Sequence, residues 1–148
     1  VAASLDAGLA PVLCIGELVQ DDPSTAAAAC VQQLEASLRL ARERGVGGRL
    51  VVAYEPVWAI GAPEPAPTEH IVAVSRALRA ALDADPARAG SSVIYGGSAG
   101  PGLLARLEGA VDGLFLGRFA HDAAAFCRVI DEAAALATSR SPRNGATP

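Results

Sequence analysis

Apolar positions along this chain follow two rhythms. Short, almost uninterrupted apolar runs at Pro11–Gly16 (Pro-Val-Leu-Cys-Ile-Gly), Leu50–Tyr54, Ser92–Tyr95 and Val111–Leu116 read as strands buried on both faces. Between them apolar residues recur every three or four positions, which is the helical period. Val1–Ala7 reads as the end of a helix stopped by Gly8. Asp21-Asp22-Pro23-Ser24 breaks the chain and caps the next helix. In that helix Ala27, Val31, Leu34, Leu38 and Ala41 share one face, and Gln32, Glu35, Arg39 and Arg42 lie outside. Gly45, Gly47 and Gly48 end it.

Thr68 is expected to cap a second long helix with Ile71, Val74, Ser75, Leu78 and Leu82 inward, ended at Asp85-Pro86. Pro101 opens a short helix carrying Leu103, Leu104 and Leu107. Asp122 caps the last helix, with Phe126, Val129, Ile130 and Ala133 expected to face in. Residues 138–148 are polar, with Pro and Gly, and read as a flexible tail after a structured unit of 1–137.

The result is a βα unit repeated four times, an α/β chain with a parallel sheet and right-handed crossovers. Glu17, Glu55, Gly97-Ser98 and Gly117-Arg118 all fall just past strand C-terminal ends, which in a βα barrel is the face that carries chemistry. A closed barrel takes eight units and about 250 residues. The chain therefore reads as half a barrel, the C-terminal half.

Composition sharpens this picture. Of 148 residues, 51% are hydrophobic and 19% charged, which excludes a disordered chain. Aromatics are 4%, which suits Ala/Val/Leu helices on a parallel sheet better than a β-sandwich. The net charge of −4 and the lack of an Arg or Lys run exclude a basic nucleic-acid surface. A phosphorylated ligand must be held by backbone N–H groups and a few side chains. Cys14, Cys30 and Cys127 have no metal-ligand spacing and read as reduced thiols. No 18-residue apolar run and no signal peptide is present, so neither membrane nor export is implied and a cytoplasmic protein is expected. The chain starts at Val1 and contains no Met, a hint that the natural N-terminus lies upstream.

One carboxylate dominates the candidate chemistry. In Val51-Val52-Ala53-Tyr54-Glu55-Pro56-Val57-Trp58-Ala59-Ile60-Gly61 an apolar strand delivers Glu55 at its end. Burying a carboxylate is costly without a partner or a task, so Glu55 is either a base or half of a structural ion pair. This run resembles the base-and-lid segment of the triosephosphate isomerase family. Three further segments resemble that family in the same order: Cys14-Ile15-Gly16-Glu17, Tyr95-Gly96-Gly97-Ser98 and Asp112-Gly113-Leu114-Phe115-Leu116-Gly117. The resemblance runs to about Leu136.

The resemblance implies a TIM (β/α)8 barrel, of which this chain supplies strands 5–8 only. It implies the isomerisation of dihydroxyacetone phosphate and glyceraldehyde 3-phosphate, in glycolysis and gluconeogenesis. Glu55 would be the catalytic base, working through an enediolate. Pro56, Val57, Trp58, Ala59 and Ile60 would begin a closing lid, with Pro56-Val57-Trp58 as first hinge and Glu64-Pro65-Ala66 as second. Gly61, Ser98 and Gly117 would bind the substrate phosphate through backbone N–H groups. Tyr95 would latch the lid through the Ala66 N–H, and Glu17 would support it through Trp58. For Trp58 and Tyr95 ordinary packing with a satisfied polar tip is the alternative.

Three departures from the family pattern stand out. Gly61-Ala62-Pro63 replaces the usual Gly-Thr-Gly lid tip, and Pro63 has no N–H to give Ser98. Arg118 stands where a second glycine is usual, so it must accept a backbone suited to glycine; its guanidinium either adds a phosphate contact or faces solvent. Phe115 replaces a smaller apolar residue beside the substrate. These changes point to a paralogue acting on a four-carbon ketose phosphate as the alternative to the triose. A non-catalytic phosphate-binding remnant is the other alternative.

The family's Lys and electrophilic His have no counterpart, and His70 and His121 read as surface residues. The isolated chain is therefore expected to be inactive without a missing N-terminal half-barrel, and a homodimer is expected only of the complete protein. No metal or organic cofactor is implied, since Glu17, Glu55 and the histidines form no ligand set.

Overall fold

In the computed structural model, which describes residues 1–140, four parallel strands lie side by side in chain order. They are β1 (Val12–Ile15), β2 (Val51–Tyr54), β3 (Ser92–Tyr95) and β4 (Gly113–Leu114). The register pairs Ile15 with Tyr54, Tyr54 with Tyr95 and Tyr95 with Leu114, so the strand ends are level. Consecutive parallel neighbours need crossover helices, and right-handed crossovers place them all on one face. These are α2 (Pro23–Glu43) and α3 (Thr68–Asp83), which pack on each other, and the short α4 (Leu103–Arg106). A short α1 (Ala2–Asp6) leads in, and α5 (Ala123–Arg140) follows β4.

Alternation along the strands splits the residues between two environments. Val52, Tyr54, Val93 and Tyr95 point to the helices and are fully buried. There they meet Leu34, Leu38, Ile71, Val74 and Leu78. Burial of each such aliphatic side chain contributes about 1.5–3 kcal/mol. The opposite face of the sheet carries Val12, Cys14, Val51, Ser92 and Ile94, none of them buried, together with the buried Ala53. Glu55 continues the parity of Val51 and Ala53 and belongs to that less covered face.

Several local expectations are met. Asp22 caps α2 by accepting from the N–H groups of Ser24 and Thr25 at 3.0 and 3.1 Å, with Pro23 in the first turn. Asp122 accepts from the Ala125 N–H at 3.0 Å. Others are corrected. Thr68 is the first residue of α3, not its cap; Pro67 holds the cap position with no side-chain bond. The expected strand Val111–Leu116 pairs only at Gly113–Leu114, flanked by the N–H groups of Asp112 and Phe115, which donate to Val93 O and Tyr95 O at 2.7 and 2.8 Å. The fourth helix begins at Leu103, after Gly102 rather than at Pro101.

In α5 the buried residues are Ala125 and Val129, while Phe126, Ile130 and Ala133 are exposed. Two apolar stripes run one residue apart on this Ala-rich helix. The helix packs chiefly on α4 and the turn at 118–120, so one narrow stripe suffices. Its last turn includes residues 138–140, which were assigned to the tail; 141–148 lie outside the described residues. Among the described residues no helix is long and apolar enough to cross a membrane.

Candidate active site

The ends of β2, β3 and β4 and the loop after β2 enclose a cavity of about 400 Å3. Glu55, Ile60, Gly61, Ser98, Phe115, Gly117 and Arg118 line it. The structure thus brings together residues from three separate βα junctions. Glu55 is fixed by its backbone, whose N–H donates to Ile15 O at 2.8 Å and extends the ladder one step past β2. Its side chain lies across Gly96. A Cβ at Gly96 would stand 2.6 Å from Glu55 Cγ and 2.8 Å from Glu55 Oε1, so glycine is the residue that lets the carboxylate lie there. The Cys14 thiol on the neighbouring strand is pushed up to about 11, by burial and by the Glu55 carboxylate beside it. Glu55 and Arg118 are the charged residues of the lining, one acid and one base.

The segment from Pro56 to Ala66 crosses over the cavity. Its start is a 3₁₀ turn, Val57–Ala59, whose Ala59 is buried and whose Val57 N–H donates to Glu17 O at 2.9 Å. Its end is tied down by Ala66, whose N–H donates to the Tyr95 hydroxyl oxygen at 2.9 Å. Burial raises the Tyr95 phenol to about 12, so the hydroxyl keeps its proton. Between these ends the tip is caught from the far wall. Ser98 Oγ donates to Ala62 O at 2.7 Å, and Arg118 Nη2 donates to Ala62 O and Pro63 O at 3.1 and 3.2 Å.

Glu17 holds the first hinge from below and is itself buried. One carboxylate oxygen accepts from Trp58 Nε1 at 2.8 Å and Tyr54 OH at 3.1 Å, and lies 2.9 Å from His70 Nε2. The other lies 3.6 Å from the Cys30 thiol. Burial works against the charge. The Glu17 N–H and the donors on Trp58, His70 and Tyr54 outweigh it, and hold the carboxyl below its ordinary range. A carboxylate brings no hydrogen to these contacts, so His70 Nε2 carries one. The expected Trp58–Glu17 bond and the expected Tyr95–Ala66 bond thus coexist in one arrangement of the segment.

His70 is the largest departure from the sequence reading. It was expected at the surface, and it is 2% exposed. Trp58 stands edge-on to its ring with centroids 5.4 Å apart, and Tyr54 stacks at 6.5 Å. The signal was available: 70, 74 and 78 fall on the inward stripe of α3. His121 is exposed, and neither histidine lines the cavity.

Two more readings change. Arg118 does not adopt a glycine backbone; it sits in an ordinary 3₁₀ turn, Arg118–Ala120. The cavity residue with a positive φ is instead Ser98, at +53°. The Arg118 guanidinium is bonded through Nη2 to the carbonyls of Ala62 and Pro63 at the tip of the covering segment. Phe115 does border the cavity, 41% exposed.

The family model described as triosephosphate isomerase matches residues 1–133. A curated relative from Pectobacterium atrosepticum, named L-erythrulose-1-phosphate isomerase, is 52% identical over 137 residues, 93% of this chain and 53% of that protein. A second bearing that name, from Rhizobium etli, is 34% identical over 99% of this chain and 56% of its own length. The triosephosphate isomerase of Leifsonia xyli is 36% identical over 87% of this chain and 51% of its own. The chain spans about half the length of these curated relatives.

Proposed function

The chain belongs to the triosephosphate isomerase family, and from that premise we propose that it carries the base and the phosphate cradle of an aldose–ketose phosphate isomerase. The observation that carries this reading is the shared cavity: Glu55 faces the same space as Gly61, Ser98, Gly117 and Arg118. In the chemistry known for this family, a carboxylate removes a proton from the hydroxyl-bearing carbon next to a carbonyl. The electron pair becomes the double bond of an enediolate, and the proton returns to the former carbonyl carbon. The hydroxyl proton passes to the former carbonyl oxygen as the other oxygen becomes the new carbonyl, so the net change is one proton moved between carbons and one between oxygens, and no redox partner is consumed. Glu55 is the group in this chain that performs both transfers at carbon.

The backbone N–H groups of Gly61, Ser98 and Gly117 hold the phosphate. The segment Pro56–Ala66 covers the site and keeps water from the enediolate. In this reading a Lys and an electrophilic His are supplied by a complementary half-barrel, and this chain forms strands 5–8 of the full fold. Loss of one oxyanion donor typically costs about 10²–10³-fold in rate, so the chain alone lacks useful turnover. The complete protein is expected as a homodimer.

For the substrate, a four-carbon ketose 1-phosphate is favoured over the triose. The relative named for L-erythrulose 1-phosphate is 52% identical, against 36% for the Leifsonia triosephosphate isomerase, and Phe115 and Pro63 alter the cavity wall and lid. The triose reading keeps support from the Bordetella pertussis triosephosphate isomerase, 44% identical over 97 residues.

The deciding experiment follows both substrates by NMR with the complete gene product, its Glu55→Gln variant and the 148-residue chain. Faster conversion of the tetrulose phosphate, lost in Glu55→Gln, is expected. Conversion of neither, or conversion indifferent to Glu55, overturns the reading. Strong turnover by the 148-residue chain alone overturns the need for a second half.

A further inference from the structure

The tip of the covering segment is caught with inverted polarity. It presents carbonyls, at Ala62 and Pro63, and the opposite wall presents donors, the Ser98 hydroxyl and the Arg118 guanidinium. Pro63 makes this the available arrangement, since it has an acceptor and no N–H. Arg118 is steadied from a second side as well. Its guanidinium carbon lies 5.2 Å from the centroid of the Phe119 ring. That ring is wedged against Gly100, where a Cβ would stand 2.5 Å from Phe119 Cε2. An exposed arginine is thus held between two lid carbonyls and an aromatic ring, at the rim of a cavity it helps to line.

A guanidinium has five N–H groups. Those on Nη2 serve the lid, while Nη1 and Nε make no hydrogen bond to the described residues. We propose that Arg118 couples lid closure to anion binding, gripping the lid tip through Nη2 and offering Nη1 and Nε to the phosphate of the substrate. This rests on the phosphate-site reading above and deepens it. A guanidinium already oriented by two carbonyls gives up little side-chain freedom when the anion arrives. An anion on Nη1 and Nε in turn strengthens the bonds from Nη2 to Ala62 and Pro63. The coupling is reciprocal: a lid that is held down raises phosphate affinity, and bound phosphate holds the lid down. Lysine has the charge but no fork, so it can serve the anion or the lid but not both at once.

The test uses inorganic phosphate and the complete gene product, with Arg118→Lys and Arg118→Met. Calorimetry reads phosphate affinity, and hydrogen exchange of the peptide 59–66 reads the lid with and without phosphate. Phosphate is expected to slow lid exchange several-fold in the parent protein. Arg118→Met is expected to raise the phosphate Kd at least tenfold and to speed lid exchange about tenfold even without phosphate. Arg118→Lys is expected to keep phosphate binding within a few-fold and to lose the effect of phosphate on the lid. Weaker phosphate binding in Arg118→Met with an unchanged lid overturns the coupling and leaves Arg118 a simple anion ligand. No change in either makes it a bystander. Absence of phosphate binding in the parent protein overturns the proposal together with the phosphate-site reading.

Discussion

His70 Nε2 lies 2.9 Å from Glu17 Oε1, and the same oxygen accepts from Trp58 Nε1 at 2.8 Å. One buried carboxylate therefore ties the first hinge of the covering segment to the first turn of the helix that follows the second hinge. Removing a donor from a buried carboxylate leaves its charge short of partners, which costs about 1–3 kcal/mol. His70→Ala is expected to lower the urea midpoint accordingly and to shift the emission of Trp58. A variant with the parent's midpoint and spectrum would show that the contact contributes nothing.

The same carboxylate sets a pH dependence. Its hydrogen bonds hold Glu17 below its ordinary value of 4.5 in the folded state. The sign follows from linkage: the folded pKa is depressed, so the stabilisation is fully present above the unfolded value and drains away as pH falls through the folded one. Glu17→Gln is expected to be less stable at pH 7 and to show a shallower fall in stability below about pH 4.5. Acid limbs that superimpose for the two proteins would rule this out.

Gly96 is a second point of control, on the proposed base Glu55. An added methyl would meet Glu55 Cγ at 2.6 Å and Oε1 at 2.8 Å, so the carboxylate must move. A displacement on the order of 1 Å at a reacting group costs about 10²-fold in rate. Gly96→Ala in the complete enzyme is expected to lose about that much kcat, with far-UV circular dichroism unchanged. Full activity in a folded Gly96→Ala protein would mean that Glu55 works from another position.

Much of this geometry is legible in the sequence, for a physical reason. Strands covered by helices must be apolar runs, and chemistry gathers where those runs stop, so Glu55, Ser98 and Gly117 announce themselves at the ends. Helix faces are legible when one stripe is clearly more apolar, as for Ile71, Val74 and Leu78. They blur when neighbouring stripes are equally apolar, as for Val129 against Phe126 and Ile130. Long-range polar pairing is the part that does not show. His70 finds Glu17 across 53 positions, and Arg118 finds Ala62 across 56. Each residue alone looks like an ordinary surface side chain, and only the fold supplies the partner that justifies its burial or its orientation.

Tyr95 carries a bond whose loss can be read without any substrate. Its hydroxyl oxygen accepts the Ala66 N–H at 2.9 Å, and both residues are buried. Tyr95→Phe keeps the ring and orphans the amide, at a cost of about 1–3 kcal/mol. The expected result is faster hydrogen exchange at Ala66 with little change at Ile71 in the core of α3. Equal acceleration at both positions would point to global destabilisation and remove the latch role.

Cys14 and Glu55 border the same pocket, which gives an independent check on where the carboxylate lies. The Cys14 residue is exposed, and its thiol is held at about 11 by partial desolvation and by the neighbouring Glu55 carboxylate. Its ordinary value is 9.0, so at neutral pH the reactive thiolate of Cys14 is roughly 10²-fold scarcer. Glu55→Gln removes the charge but not the desolvation, so part of that suppression remains and part is lifted. Alkylation at pH 8, resolved by peptide mass spectrometry, is expected to be slow at Cys14 in the parent and several-fold faster in Glu55→Gln. Cys127, exposed on α5, serves as the internal reference, since its rate has no reason to change. A Cys14 rate indifferent to Glu55 would place the carboxylate away from the thiol. The packing of Glu55 against Gly96 would then need a different side-chain orientation, and the Gly96→Ala expectation would fall with it.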